Sequence, residues 1–424
     1  MSEQDSNEQD EIDETFEIEL IAMAHGGSAL GRHDKRTIFI PYTIPGERVQ
    51  AVITQDKGRI AFAEGLTLVE ASGDRVFPTC KHFGPHKCGS CQWQHIDYQA
   101  QALLKQDVLA DQLSRVGKFD DAVIEAALRD ILPADNQWHY NHQMTFTVQN
   151  GQLGFPKADK DGIILVDECH ILHPTLFDMY QTLDFEFENI TKVTFQLGTD
   201  GEHMIILYVE DEENLPELHA DLPTSVNVIL PDNEPVNLIG DSHVIYEVDG
   251  HHFRVTAGSA FRANVSQLPK LAELVVDALD INSKSAVLDL YAGVGFFSAF
   301  IADKVSLVTL IESFPPAVTD ADENLEAFDN VDVIEGAIED VLAENKDKYD
   351  CAILDPPSGG LSVEVMDILK ARSIPRLVYV SSDPATLARD GSRLVKQGYR
   401  LLSIQPIDLN PQTYYVDSVA VFVK

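Results

Sequence analysis

At 424 residues and 44% hydrophobic side chains, the chain is long enough for two to four packed domains and too apolar for general disorder. Sixty-nine acids against 31 bases give a formal charge of −38, which repels a phosphate backbone except where bases gather locally, so binding to DNA or RNA over a broad surface is disfavoured. The longest apolar runs, such as 307–311, fall far short of the ~20 residues that cross a bilayer, and an N-terminus with seven acids and no base is no secretion signal; the expectation is a cytoplasmic protein with no membrane partner.

Residues 1–14 (MSEQDSNEQDEIDE) are uniformly polar and acidic and are expected to form a disordered tail. From 15 to 76 the pattern changes to short alternating strands (FEIEL, TIFIPYTI, RVQAVITQ, RIAFAEGLTLVE) separated by glycine-containing turns, which predicts a small β-barrel. The string MAHGGSALGRHDKRTIFIPYTIPGERV resembles the TRAM domain, an OB-like RNA-binding barrel. Its tip carries His25, Arg32, His33, Lys35 and Arg36, a basic cluster suited to phosphates in an otherwise acidic chain. A barrel that only stabilises or oligomerises the chain is the plainer alternative.

Residues 77–95 form a loop with Cys80, Cys88 and Cys91, the last two as C-x2-C, and Cys169 follows far along the chain in VDECHIL. Four of the five cysteines in one constellation point to metal rather than disulfides, and four thiolates suit either tetrahedral zinc or a four-iron, four-sulfur cluster. Lys81, His82, His86 and Lys87 make the loop a second locally basic surface. Residues 96–250 read as an inserted α+β domain: an amphipathic helix over 96–116, then strands in WHYNHQMTFTV, QLGFP, KVTFQLG and HMIILYV that predict an antiparallel sheet.

From 251 to 424 strands and helices alternate. In SAVLDLYAGVGFFS a buried strand ends at Asp289, and a tight Gly293-x-Gly295 turn opens a helix, presenting backbone N–H groups to a ligand. The third glycine of a dinucleotide fingerprint is missing, so this turn alone separates an NAD site from an S-adenosylmethionine (AdoMet) site only weakly; Asp355-Pro356-Pro357, closing a later strand, decides for AdoMet. Glu312 ends the next strand, 23 residues after Asp289, where an acid would hold ribose hydroxyls. The closing SVAVFVK is expected to pair antiparallel at the edge of a seven-stranded sheet. Cys351, inside a buried strand, reads as a packed core thiol.

The strings SAFRAN, DLYAGVG, DPPSGG, YVSSDPATLARD and DLNPQTYYVDSV occur in order and, with CGSCQWQH upstream, resemble the RNA 5-methyluridine methyltransferases that act on ribosomal and transfer RNA. The resemblance implies an α/β fold: a class I, Rossmann-like methyltransferase sheet at 251–424, an N-terminal OB-like TRAM barrel and an inserted α+β domain that helps hold RNA. It implies a four-iron, four-sulfur cluster on Cys80, Cys88, Cys91 and Cys169, with zinc as the alternative, AdoMet held by Tyr291, Gly293, Gly295, Glu312 and Asp355, an RNA partner met through local basic patches, no DNA, and a monomer. In that family a cysteine thiolate adds to carbon 6 of uridine and a carboxylate later removes the proton from carbon 5. The position of that cysteine is Ser382 here and the base is Asp417. The family's glutamine beside the cofactor is Arg262, its arginine after the DPP is Ser358, and two histidines of its last motif are Gln412 and Tyr415. Asn141, His142 and Gln143 stand where the central domain would carry basic groups. A serine hydroxyl ionises far less readily than a thiol with a pKa near ~8.5, so the resemblance implies a retained cofactor site with doubtful, altered or lost uridine C5 chemistry. An RNA- or protein-binding relative without activity is the alternative.

Overall fold

The computed structural model describes residues 15–183, 189–212 and 224–424; the acidic stretch 1–14 lies outside them. The chain divides into two compact units, one formed by the residues up to Phe77 with His95–Asp97, the other by Pro78–Gln94 with Tyr98–Lys424.

In the first unit β1 (Phe16–Met23), β2 (Ala29–His33), β3 (Arg36–Ile40), β4 (Arg48–Asp56) and β5 (Ile60–Glu70) close a barrel in the order β1-β2-β3-β5-β4. Alternation drives closure: Ile18, Leu20, Ile38, Ile40, Val49 and Ala61 fill the inside while polar neighbours face outward. At Gly31 a Cβ would lie 2.3 Å from the Glu19 carbonyl, so β1 and β2 pair this closely only because no side chain intervenes. Glu47 is fully buried and survives there because Arg75 donates to both of its carboxylate oxygens, at 2.5 and 2.8 Å.

The second unit begins with the cysteine loop, α1 (Tyr98–Arg115) and α2 (Asp121–Ala127). There follow β6 (Gln143–Gln149), β7 (Gln152–Pro156), β8 (Ile163–Ile164), α3 (Pro174–Thr182), β9 (Ile190–Leu197), β10 (His203–Val209), β11 (Ser225–Ile229) and β12 (Pro235–Ile239). These strands form one sheet in the order β12-β11-β10-β9-β6-β7-β8. The expected antiparallel pattern holds except between β10 and β11, which run parallel, so the sheet is mixed. A hairpin of β13 (His243–Val248) and β14 (His251–Thr256) leads into a second seven-stranded sheet.

That sheet contains β15 (Ala286–Leu290), β16 (Leu307–Glu312), β17 (Val331–Glu335), β18 (Cys351–Leu354), β19 (Arg376–Ser381), β20 (Arg400–Ile407) and β21 (Asp417–Val423), ordered β17-β16-β15-β18-β19-β21-β20. β15 to β19 are parallel; all but β17 are largely apolar, as strands covered on both faces must be, whereas β17 (VDVIE) lies at the edge and alternates. The closing strand is antiparallel, as expected, but sits between β19 and β20 instead of at the edge. The edge belongs to β20 (RLLSIQPI), whose polar interruptions hide it in the sequence.

Helices cover both faces. On one, α4 (Leu268–Leu279), α5 (Phe296–Ile301) and α6 (Pro315–Asn324) pack Leu271, Val275, Phe297 and Ala321 onto the strands. On the other, α7 (Ile338–Glu344), α8 (Val363–Arg372) and α9 (Pro384–Lys396) join α1 and α2 around Leu113, Leu342, Leu369 and Leu387. Cys351 is buried within β18 and its thiol is pushed up to about 12 by burial, in keeping with a core role.

α1 also carries a lysine that never meets water. Lys105 Nζ donates to Asp408 Oδ1 at 2.7 Å and to the Asn410 carbonyl at 2.9 Å, and both side chains are 0% exposed. Tyr98 and the Asn410 N–H complete the coordination of Asp408. Removing one partner strands a buried charge, so Lys105→Met is expected to cost about 3–5 kcal/mol, read as a lower urea midpoint, and adding Asp408→Asn should recover part of the loss.

Candidate active site

The strand β15 delivers the chain to the C-terminal edge of the sheet, where ligands of open α/β folds bind. Beyond it the backbone turns through left-handed conformations at Tyr291, Gly293 and Gly295, with φ of 61°, 55° and 81°. The two glycines differ in purpose. A Cβ on Gly295 would meet Leu325 at 2.8 Å, so this glycine seats α5 against α6 and does not line the cavity. A Cβ on Gly293 would approach nothing closer than the Ala260 carbonyl at 3.8 Å, which leaves backbone facing open space.

That space is a cavity of about 570 Å³ lined by Tyr291, Gly293, Glu312, Asp355, Arg262, Ser382 and Asp417, together with Phe296, Phe297, Ser358 and Asn410. Apart from Gly295, every catalytic and cofactor residue expected from the sequence therefore converges here. Glu312, at the end of β16, accepts from the N–H groups of Gly293 (2.9 Å), Ser313 (2.7 Å) and Phe314 (2.8 Å). Three backbone donors fix the carboxylate while it still borders the cavity, the arrangement needed to receive vicinal hydroxyls.

Arg262 spans the cavity wall to Asp355, donating to both carboxylate oxygens at 2.7 and 2.9 Å, and its guanidinium lies 5.8 Å from the Phe297 ring centroid. Asp355 is thus already paired. Asp417 is buried at the start of β21, accepts from Asn410 Nδ2 at 3.1 Å, and is pushed up to about 6 by burial, against the opposing pull of Arg262 and Lys105. Asp289, beneath the turn, is pushed up to about 7 by burial although Ser298 donates to it at 2.7 Å. Its other oxygen has no protein partner. Ser382, in the turn between β19 and α9, is exposed, and none of the described residues forms a hydrogen bond with its hydroxyl.

The quoted motifs brace one another. Asp390 accepts from Leu361 N–H at 2.8 Å and from Tyr379 at 3.0 Å, while Arg389 donates to the Gly359 carbonyl at 2.7 Å; the end of the SSDPATLARD segment therefore clamps the DPPSGG loop. Asn264 donates to the Leu409 carbonyl at 2.9 Å, tying SAFRAN to the 408–417 segment. Gln412 exchanges hydrogen bonds with Gln101 of α1 and faces away from catalysis. Tyr415 is 47% exposed and stacks on Tyr414. Sequence reasoning missed Lys105, Asp408 and Asn264; the available signal was a lysine on the apolar stripe of α1 formed by Ala102, Leu109 and Leu113.

A second cavity is lined by Cys80, Cys88, Cys91 and Cys169, with Phe83, Phe155 and His170. Burial raises all four thiols, Cys169 to about 11 and Cys91 well above its ordinary value. Among the described residues no three His, Cys, Asp or Glu side chains gather closely enough for a single metal ion. The basic residues of both expected patches are largely compensated: Arg36 pairs with Asp56, His33 with Asp34, Lys81 and His82 with Asp167, and His86 with Asp159.

Residues 242–423 match the profile of the tRNA (uracil-5-)-methyltransferase family and residues 11–66 that of the TRAM domain. An uncharacterized RNA methyltransferase of Streptomyces coelicolor is 31% identical over 426 residues, covering 97% of this chain and 93% of the relative. This chain belongs to the RNA (uracil-5-)-methyltransferase family, with an N-terminal TRAM domain. Its family relatives include the 23S rRNA (uracil(1939)-C(5))-methyltransferase RlmD of Shewanella sediminis, 28% identical and covering 96% of this chain and 95% of that one. The fold is shared with the tRNA (uracil-54, C5)-methyltransferase of Pyrococcus abyssi, solved with S-adenosyl-L-homocysteine: TM-score 0.71, 21% identity, 96% of this chain and 100% of that one. AdoMet is the methyl donor of the family.

For a uracil-5-methyltransferase family member, the cofactor assignment turns on Glu312. Glu312→Gln keeps the shape but weakens a charge-assisted hydrogen bond, and AdoMet affinity by calorimetry is expected to fall about ten- to a hundredfold.

Proposed function

We propose that the chain is an AdoMet-dependent RNA methyltransferase acting on ribosomal or transfer RNA, in which the covalent route to 5-methyluridine is disabled at Ser382. The observation that carries this reading is the cavity itself, which brings Glu312, the open Gly293 backbone, Asp355 and Asp417 together but sets an unassisted hydroxyl where the family places its cysteine. AdoMet would lie with its ribose on Glu312 and its remaining length along Tyr291 and Gly293; it supplies an electrophilic methyl group. Asp417 suits a proton acceptor, because a carboxylate raised to about 6 is still mostly ionised at neutral pH and a better base than a solvated one. It lacks one methylene of the family's glutamate, and a misplacement of ~1 Å costs on the order of a hundredfold.

Without a thiolate at carbon 6, carbon 5 of uridine is a poor nucleophile, and none of the described residues hydrogen-bonds the Ser382 hydroxyl to activate it in the thiolate's place. A second reading, a silent relative that keeps AdoMet and binds RNA or protein, is favoured by the Arg262–Asp355 pair, which occupies the carboxylate of the DPP motif. Transfer of a labelled methyl group from AdoMet to RNA separates these cases, and incubation with RNA containing 5-fluorouridine tests the assignment at Ser382. Wild type should give no denaturation-stable adduct and Ser382→Cys should give one; a wild-type adduct through Ser382, or loss of 5-methyluridine from the RNA of a strain lacking the gene, would overturn the assignment.

Cys80, Cys88, Cys91 and Cys169 are the residues that would hold a four-iron, four-sulfur cluster. Zinc–sulfur bonds of about 2.3 Å bring four sulfurs within about 4 Å of one another, whereas these cysteines ring a common cavity without gathering around one point. These cysteines would then tie the cysteine loop to the 167–171 segment, each giving up a thiol proton that burial alone keeps in place. Anaerobically purified protein is expected to be brown and to bleach on Cys169→Ala; a colourless, zinc-loaded preparation would show the assignment to be wrong.

A further inference from the structure

The barrel carries a surface that the compensated basic tip does not explain. Phe39 on β3 and Phe62 on β5 are register partners of parallel strands, and their rings stack on the outside of the barrel with centroids 5.6 Å apart and planes 28° from parallel. Phe62 is 38% exposed and Ile60, two residues earlier on the same face, 43%. Leu30, opposite Phe39 on β2, extends the apolar strip.

Cations rim it. Lys57 Nζ lies 5.2 Å from the Phe62 ring centroid, and Arg59 is exposed in the same turn. Arg32 reaches Thr37 on the other side through a 2.7 Å hydrogen bond. Lys35, Lys57 and Arg59 have no carboxylate partner among the described residues; Asp34 and Asp56 lie in the same turns, but Arg32, Lys35, Arg36, Lys57 and Arg59 outnumber them, an excess of cations on a chain of charge −38. Exposed aromatic rings on a small barrel, bordered by unpaired cations, form the combination that holds unpaired bases by stacking and their phosphates by charge.

We infer that the Phe39–Phe62 face is a stacking platform for unpaired bases of single-stranded RNA, with Lys57 and Arg59 meeting the adjoining phosphates. This rests on the reading that the protein binds RNA, and it assigns the sequence-tolerant part of that binding to ring faces instead of to the basic tip. A purely electrostatic patch would accept duplex and single strand alike, whereas a stacking platform needs bases free of their partners.

The test uses the full-length protein and a short single-stranded RNA carrying 2-aminopurine, whose fluorescence is quenched by stacking. Wild type should quench the probe and bind the strand more tightly than a duplex of the same sequence. Phe62→Ala should weaken binding roughly five- to 150-fold and abolish the protein-induced quench, while Phe62→Tyr, which keeps a π face, should retain both. AdoMet affinity and the melting temperature of the variants serve as controls for folding. Unchanged strand affinity in a folded Phe39→Ala/Phe62→Ala variant, or equal affinity for duplex, would overturn the platform and leave RNA binding standing. Wild-type protein that binds neither RNA form would remove the underlying reading as well. A dimer in light scattering that Phe62→Glu converts to monomer without altering RNA affinity would reassign the face to self-association.

Discussion

A lysine ammonium and an aspartate carboxylate sealed together from water are tolerated only when further hydrogen bonds support the pair: Lys105 donates to Asp408 and to the Asn410 carbonyl, and Asp408 also accepts from Tyr98 and the Asn410 N–H. The pair does more than join α1 to the catalytic sheet. It fixes the start of the 408–417 segment, which crosses the end of the sheet and lays Leu409, Asn410 and Asp417 into the cavity wall. Asn264 holds the same segment from the SAFRAN side and Gln101 holds Gln412 beyond it. A loop that would otherwise be mobile is anchored at three points, and the carboxylate it carries inherits that rigidity.

The electrostatics of the cavity follow from this anchoring. Asp289, Glu312, Asp355 and Asp417 crowd one end of the sheet, and burial, reinforced by the neighbouring carboxylates, pushes Asp289 and Asp417 up. Arg262 offsets part of that charge by engaging Asp355 in a bidentate pair. Where the motif resemblance implies an arginine after the DPP this chain has Ser358, and the guanidinium bordering the cavity is that of Arg262. A positive group aimed at a DPP carboxylate is not equivalent to one aimed at a substrate base, which is why binding and chemistry separate in the proposed function.

Much of this was legible in the sequence because it was written in local rules. The β15 turn, Glu312 at a strand end and the DPP closure depend on residues adjacent in the chain, and they meet where the sheet places them. The barrel was legible from its alternation, and the core role of Cys351 from its apolar strand. What escaped were long-range pairings. Lys105 looked like an ordinary helical lysine because its partner lies some three hundred residues away. The basic tip looked like an anion site although Asp34 in its own turn pairs with His33 and Asp56 of β4 pairs with Arg36, and the cysteine loop looked like a second one although Asp167, far along the chain, pairs with Lys81 and His82. β20 was invisible because its polar residues break the expected apolar run, and its omission placed β21 at the wrong position.

The placement of β21 between β19 and β20 bears on how this sheet can be assembled. β20 follows β19 in the chain but pairs within the sheet only with β21, so it gains a neighbour there only when β21 is in place. Asp417 opens β21, so the same step completes the wall of the cavity. Until then the outer edge of β19 is unpaired, and closing the sheet and closing the ligand site become a single event.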